Sequence, residues 1–63
     1  TNRFIYIFEL KTNGTAQEAM DQINEKGYYL PFVNSGKQII KIAANYSSAM
    51  NNLDSWLIEE VRD

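Results

Sequence analysis

Residues 3–11 have the sequence Arg3-Phe4-Ile5-Tyr6-Ile7-Phe8-Glu9-Leu10-Lys11, and the architecture of the chain follows from this stretch. Its β-branched and aromatic side chains are typical of a β-strand. Strand alternation places two sets of residues on opposite faces: Phe4, Tyr6, Phe8 and Leu10 on one, and Ile5, Ile7, Glu9 and Lys11 on the other. Both sets are apolar as far as Glu9. The pattern therefore predicts a strand that is buried on both faces, as in a parallel or mixed sheet.

A helix is predicted directly after this strand. Asn13-Gly14 is a turn signal, and Thr15 followed by Glu18 is a capping box with Thr15 as the N-cap. The apolar stripe of the helix has helical spacing and consists of Ala16, Ala19, Met20 and Ile23. Gly27 is a plausible stop, although the helix could extend as far as Pro31.

A second strand is predicted for residues 37–46, after the turn signal of residues 34–36. Strand, helix and strand within so few residues form a βαβ unit, whose two strands are parallel and whose crossover is right-handed. Residues 54–61 are ambiguous. Leu53, Trp56, Leu57 and Val61 lie near helical spacing, whereas Trp56-Leu57-Ile58 is also strand-like.

Length and composition limit the classes of function that the chain can have. The chain has 63 residues, a net charge of -2, no cysteine and no histidine. Thiol nucleophiles, Ser-His-Asp triads and nearly all zinc, copper and haem sites are therefore excluded, and a bound metal should be a hard ion such as Mg²⁺. The charge is not that of a free-standing nucleic-acid binder. The chain has no apolar run of membrane-spanning length and no signal-peptide layout, which favours a cytoplasmic protein without a membrane partner.

Glu9 and Lys11 are the most informative polar pair. Two residues apart on a strand, they share a face and lie about 7 Å apart along the chain. They sit at the carboxyl end of the strand, where ligands bind in α/β sheets. A carboxylate there can hold Mg²⁺, and an ammonium group can orient a water molecule. The alternative interpretation of the pair is a surface ion pair.

In the order of these motifs, the chain resembles the PD-(D/E)XK nuclease superfamily. More narrowly, it resembles the nuclease-like domain that follows an AAA-ATPase-like domain in many bacterial proteins. The matching stretches cover nearly the whole chain and are Phe8-Glu9-Leu10-Lys11, Ala16 to Ile23, Gly27-Tyr28, Gly36-Lys37, Asn45-Tyr46-Ser47 and Leu53 to Trp56.

The resemblance implies a restriction-endonuclease-like α/β fold with a mixed sheet, in which residues 54–60 form a further strand. It also implies metal-dependent phosphodiester hydrolysis and nucleic acid as a partner. By position, Glu9 would be a ligand of Mg²⁺, Lys11 the catalytic lysine that positions water, and Gln22 an auxiliary catalytic group. Tyr28 is a weaker candidate at the edge of the site.

The family also carries an upstream aspartate, and no residue before Glu9 is acidic. We therefore expect residues 1–63 to be a single domain that is a fragment of a larger nuclease-like domain. Such a chain would hold half of the metal site and would be inactive alone, with the rest of a parent protein, including an ATPase-like domain, as its partner.

The sequence also bears on two other functions. A non-catalytic α/β interaction module would use exposed aromatic residues as contacts, namely Tyr28, Tyr29, Phe32 and Trp56, and could form a homo-oligomer through an exposed sheet edge. A nucleotide-binding domain is disfavoured. The chain has no G-x-G-x-x-G motif, and residues 35–38 lack the first glycine and the final hydroxyl residue of a phosphate loop.

Overall fold

The computed structural model describes residues 3–61 and shows a three-stranded sheet with one helix. The elements are strand β1 (Phe4–Thr12), helix α1 (Ala16–Lys26), a 3₁₀ turn (Leu30–Phe32), strand β2 (Gln38–Ser47) and strand β3 (Asn52–Val61). The strand order is β1-β2-β3. Strand β1 is parallel to β2, and β3 is antiparallel to β2. The predicted α/β class, βαβ core and additional C-terminal strand are confirmed.

The helix begins and ends where the sequence indicates. Thr15 is the N-cap, and its side-chain oxygen accepts a hydrogen bond from the Glu18 backbone N–H at 3.0 Å. Gly27 is the C-cap with φ 65°, a left-handed conformation that favours glycine. The Gly27 N–H donates to the Ile23 carbonyl at 3.0 Å. Helix α1 therefore does not extend to Pro31.

The core lies between α1 and one face of the sheet. Ala19, Met20 and Ile23 of the helix pack on Ala43 of β2, and all four are fully buried. Ile7 and Tyr29 pack against this cluster. Tyr29 is thus a core-edge residue, and its prediction as an exposed contact is wrong. Its ring also lies 4.7 Å from the Lys41 ammonium.

The prediction that β1 is buried on both faces is wrong. Ile5, Ile7, Glu9 and Lys11 face the helix and are half-buried. On the opposite face of β1 the apolar side chains are exposed: Phe4, Tyr6, Phe8 and Leu10. The single helix can cover only one face of the sheet. An apolar alternation shows that a face is suited to burial, but not that a second layer is present.

The ambiguous C-terminal segment is a strand because it pairs with β2 along its length. Ile58 lies opposite Ile42 and Trp56 lies opposite Ala44. The register shifts between Asn45 and Tyr46, where a bulge places Asp54 outside the regular pairing. Within residues 3–61, no helix has the length and apolarity that crossing a bilayer requires.

Candidate functional site

The carboxyl ends of β1 and β2 meet at the end of the sheet where helix α1 begins. Lys11 of β1 lies opposite Asn45 of β2. The N–H of Gly14 donates to the Asn45 side-chain oxygen at 2.8 Å, and the N–H of Ala16 donates to the Ser55 hydroxyl at 3.3 Å. Both parallel strands, β3 and the helix N-terminus thus converge here, in the region where α/β sheets bind ligands.

Glu9 and Lys11 lie on the same face of β1, as the alternation predicts. Both are half-buried, and they lie opposite Ala43 and Asn45 in the parallel register. Their face is the one that the helix covers, so their side chains extend along the border between sheet and helix. An ion pair on the same face joins the buried Lys41 to Glu59 at 3.4 Å.

Gln22 is half-buried on α1. It lies one helical turn after Glu18 and one turn before Lys26, so the three residues form one stripe along the helix. Both neighbours in the stripe interact with the β1 side of the molecule. The Glu18 carboxylate lies next to Gly14, in the turn after β1. The Lys26 ammonium group is attracted electrostatically by the Glu9 carboxylate. Gln22 therefore lies on the flank of the helix that borders β1, and its role beside Glu9 and Lys11 stays a prediction.

Lys26 is a second cation close to Glu9 that sequence reasoning missed. The pKa of Lys26 is raised above its ordinary value, and the largest cause is a hydrogen bond with the Tyr28 side chain. Electrostatic attraction by Tyr28 is the second cause, and the Glu9 carboxylate adds a smaller attraction. The Lys26 ammonium lies 5.7 Å from the centre of the Tyr28 ring. The four-residue spacing from Gln22 was the available signal, because it places both side chains on one flank of α1.

A polar network centred on the buried Asn45 supports this end of the sheet and was also missed. Asn45 is only 1% exposed. Its amide nitrogen donates to an Asp54 carboxylate oxygen at 2.9 Å, while its oxygen binds Gly14. The Ser55 hydroxyl donates to the same Asp54 oxygen at 3.2 Å. Asp54 lies on β3, and the antiparallel return of β3 along β2 brings it to Asn45.

Gly14 allows Lys11 and Glu18 to approach one another, and we expect Gly14→Ala to displace both side chains. A methyl group at residue 14 would lie 2.7 Å from a Glu18 carboxylate oxygen and 2.9 Å from Lys11 Cγ. We expect a loss of about 1 kcal/mol in the free energy of unfolding, from overpacking. NMR chemical shifts of the Lys11 side chain should change as well.

Gly36→Ala is the control for this substitution. Gly36 has φ 78°, but an added methyl group there meets no atom within 4 Å. It should lower stability through backbone strain alone and leave the Lys11 resonances in place. Equal shifts at Lys11 in both variants would contradict the contact with Gly14.

The residues present fit a hard divalent ion in part. Glu9 supplies one carboxylate, the ligand type that Mg²⁺ prefers, with a lysine two residues away. Within residues 3–61, no group of three or more His, Cys, Asp or Glu side chains is arranged to hold a metal ion. Among residues 3–61, Glu9 offers one carboxylate of the suitable type, and its role as a metal ligand stays a prediction.

Comparison with known proteins identifies one family. A family model of the PD-(D/E)XK nuclease superfamily matches residues 1–56. The chain has no significant match among curated proteins or among solved structures. The matched range includes β1, α1, β2 and the first half of β3, and thus every candidate site residue discussed above.

Proposed function

Because the chain belongs to the PD-(D/E)XK nuclease superfamily, we propose that it carries the Glu9-Leu10-Lys11 half of a metal-dependent phosphodiesterase site. The observation that carries this proposal is the placement of Glu9 and Lys11. They share the helix-covered face of β1, half-buried, next to the carboxyl ends of two parallel strands. An acid and an amine held on one rigid strand suit the binding and hydrolysis of a phosphodiester.

Each residue has a distinct role in this proposal. Glu9 holds Mg²⁺, which when bound polarises the phosphoryl oxygens and lowers the pKa of bound water. Lys11 donates hydrogen bonds that position the attacking water and offset negative charge at the phosphorus. Gln22 is an auxiliary hydrogen-bonding group on the neighbouring helix flank. Tyr28, which is exposed beside Lys26, is at the edge of the site.

The site needs a further carboxylate, supplied from outside the described residues. Glu9 alone leaves most of the coordination sphere of Mg²⁺ to water and to the substrate phosphate. We therefore propose that the 63-residue chain binds divalent metal weakly and does not cleave nucleic acid. Cleavage of plasmid DNA or single-stranded RNA by the purified chain, lost in Lys11→Ala, would overturn this view of an incomplete site.

A titration with paramagnetic Mn²⁺ tests the metal-binding role of Glu9. We expect the NMR resonances of Glu9, Leu10 and Lys11 to broaden first, because line broadening falls steeply with distance from the ion. Glu9→Gln removes the charged oxygen ligand and keeps the size of the side chain. It should abolish the selective broadening while leaving the fold intact, as judged by circular dichroism.

Glu25→Gln is the matched control. Glu25 is exposed on α1, and its substitution changes the net charge by the same amount. This variant should keep the broadening pattern of the unmodified chain. If both variants respond alike, or if the broadening centres elsewhere in the unmodified chain, Glu9 is not the ligand.

The second candidate function is a non-catalytic interaction module. The exposed apolar face of the sheet favours it, because large uncovered apolar patches mark interaction sites. A parent protein with an ATPase-like domain stays a prediction. The two functions differ at Glu9: an interaction module should show no metal-dependent change there and should tolerate Glu9→Gln without loss of partner binding.

A further inference from the structure

Lys41 of β2 places a charged side chain in the layer between the sheet and helix α1. It is 7% exposed and lies between Ile39 and Ala43 on the helix-covered face, where these two apolar neighbours are at most 1% exposed. Across the sheet it lies opposite Ile7 of β1 and Glu59 of β3. Burying an ammonium group is unfavourable unless the group is paired and hydrogen-bonded, so its partners indicate what the charge does here.

In the described part of the chain, three groups from different elements surround the Lys41 ammonium. It donates a hydrogen bond to Oδ1 of Asn24 on α1 at 2.6 Å, and it lies 3.4 Å from Oε1 of Glu59 on β3. The centre of the Tyr29 ring lies 4.7 Å away, within the range of a cation–π contact. Tyr29 belongs to the connection between α1 and β2. Lys41 therefore joins this connection to both the helix and the sheet.

Stability alone does not account for a charge at this position. Replacing a buried ion pair by apolar side chains of similar volume is often neutral or stabilising. Both polar partners of Lys41 are in contact with water, since Asn24 is exposed and the Glu59 side chain is 50% exposed. An apolar residue at position 41 would therefore leave no buried unpaired charge behind. What it would remove is the contact between the ammonium group and the ring of Tyr29.

Tyr29 lies in a tight turn that also contains Tyr28. The N–H of Leu30 donates to the Gly27 carbonyl at 3.0 Å, which closes a four-residue turn with the two tyrosines at its centre. Their side chains have different surroundings. Tyr29 is half-buried and packs against the core cluster, whereas Tyr28 is 42% exposed. Because the two residues are adjacent in one turn, fixing the ring of Tyr29 restricts Tyr28 as well.

Tyr28 connects this turn to the candidate site. The centre of its ring lies 5.7 Å from the Lys26 ammonium. The Glu9 carboxylate attracts the same ammonium group. Lys26 is in the last turn of α1, one helical turn after Gln22. The turn thus holds Tyr28 and Lys26 at the edge of the sheet where Glu9 faces the helix.

We infer that Lys41 is a positioning residue: by holding Tyr29, it fixes the turn that keeps Tyr28 and Lys26 beside Glu9. Lys41 acts through Tyr29 and not by contact with a substrate, since its own side chain is buried. The inference rests on the proposed function for the importance of this edge. The link from Lys41 to the turn can be measured without metal or nucleic acid.

Lys41→Leu tests this link, because leucine has a similar volume and no charge. The variant should fold, with a circular dichroism spectrum and a urea midpoint close to those of the unmodified chain. Backbone order parameters at Tyr28 and Tyr29 should fall from about 0.85 to below about 0.6, while Ile23 in the core stays rigid. NOE cross-peaks between the Tyr28 ring and the Lys26 side chain should weaken. Unchanged order at Tyr28 in a folded Lys41→Leu chain would overturn the inference.

Two further variants act on the same contact. Tyr29→Leu removes the ring and keeps Lys41, so it tests the link even if Lys41→Leu disturbs the core, and it should loosen Tyr28 to the same extent. Lys41→Arg should preserve the order of the turn, because a guanidinium group both stacks on an aromatic ring and pairs with a carboxylate. The inference fails if Tyr29→Leu leaves Tyr28 rigid, or if Lys41→Arg loosens the turn as much as Lys41→Leu.

Lys37→Leu is the matched control. Lys37 is exposed directly before β2, and its substitution changes the net charge by the same amount. This variant should keep the order parameters of the unmodified chain at Tyr28 and Tyr29. An equal loss of order in Lys37→Leu and Lys41→Leu would contradict a specific contact with Tyr29.

A Mn²⁺ titration of Lys41→Leu separates this inference from the proposed function. Broadening at Glu9 tests the proposed function, and it should occur in Lys41→Leu as in the unmodified chain. Broadening at Glu9 together with a rigid Tyr28 in Lys41→Leu would overturn the inference alone. Absence of broadening at Glu9 in the unmodified chain would overturn the proposed function, and with it the role of Lys41 at a metal site, whatever the order of the turn.

Discussion

Met20→Ala should unfold a large fraction of the molecule under conditions in which the unmodified chain is folded. Met20 is fully buried at the centre of the cluster between α1 and β2. Truncating a buried methionine to alanine costs about 2 to 5 kcal/mol. A domain of this length has a total stability of only about 3 to 9 kcal/mol, so one cavity removes a large part of it.

Urea denaturation followed by circular dichroism measures this loss, with two controls. Met20→Leu keeps the volume and should cost less than about 1.5 kcal/mol. Met50→Ala removes the same atoms from an exposed side chain and should change stability by no more than about 0.5 kcal/mol. If Met20→Ala and Met50→Ala have the same urea midpoint, the helix–sheet core is not the main source of stability.

Asn45→Ala should have the second largest effect, and it should act at the candidate site. The substitution removes the acceptor of the Gly14 N–H and the donor to Asp54, and both of these hydrogen bonds are partly buried. An unsatisfied partly buried N–H and the lost hydrogen bonds together should cost about 2 to 3 kcal/mol. The turn that connects Lys11 to α1 should loosen, because Asn45 ties Gly14 to β2.

Two measurements separate this effect from a general loss of stability. Amide hydrogen exchange at Gly14 should accelerate more than exchange at Ile23, which lies in the core. Asn34→Ala, in the exposed turn before β2, should stay within about 0.5 kcal/mol of the unmodified chain. Unchanged protection of Gly14 in Asn45→Ala would show that the side chain does not hold this turn.

The element types were predictable from local patterns. The run at residues 3–11 predicts a strand from its side chains, and Thr15 and Gly27 predict the two ends of α1 from capping chemistry. The shared face of Glu9 and Lys11 followed from the two-residue period of a strand. These features depend on residues close in sequence, and backbone geometry is enough to connect them.

The C-terminal segment was not predictable in this way. Leu53, Trp56, Leu57 and Val61 are compatible with a helical stripe, and strand structure results from pairing with β2. The same pairing brings Asp54 into hydrogen-bonding distance of Asn45. The return of α1 along β1 brings Lys26 to a position where the Glu9 carboxylate attracts it electrostatically. No local pattern encodes these approaches, because each joins residues from separate elements.

The sequence alone predicts the order of strand, helix and strand and the two ends of the helix. It also predicts that Glu9 and Lys11 share one face of β1. Packing settled which face of the sheet is covered: α1 lies over Ile7 and Ala43, while Phe8 and Trp56 are left exposed on the other side. The physical reason is that periodicity sorts side chains into faces within one element. Whether a face is buried depends on the free energy of packing it against another element, and one helix of eleven residues can cover one face of this sheet.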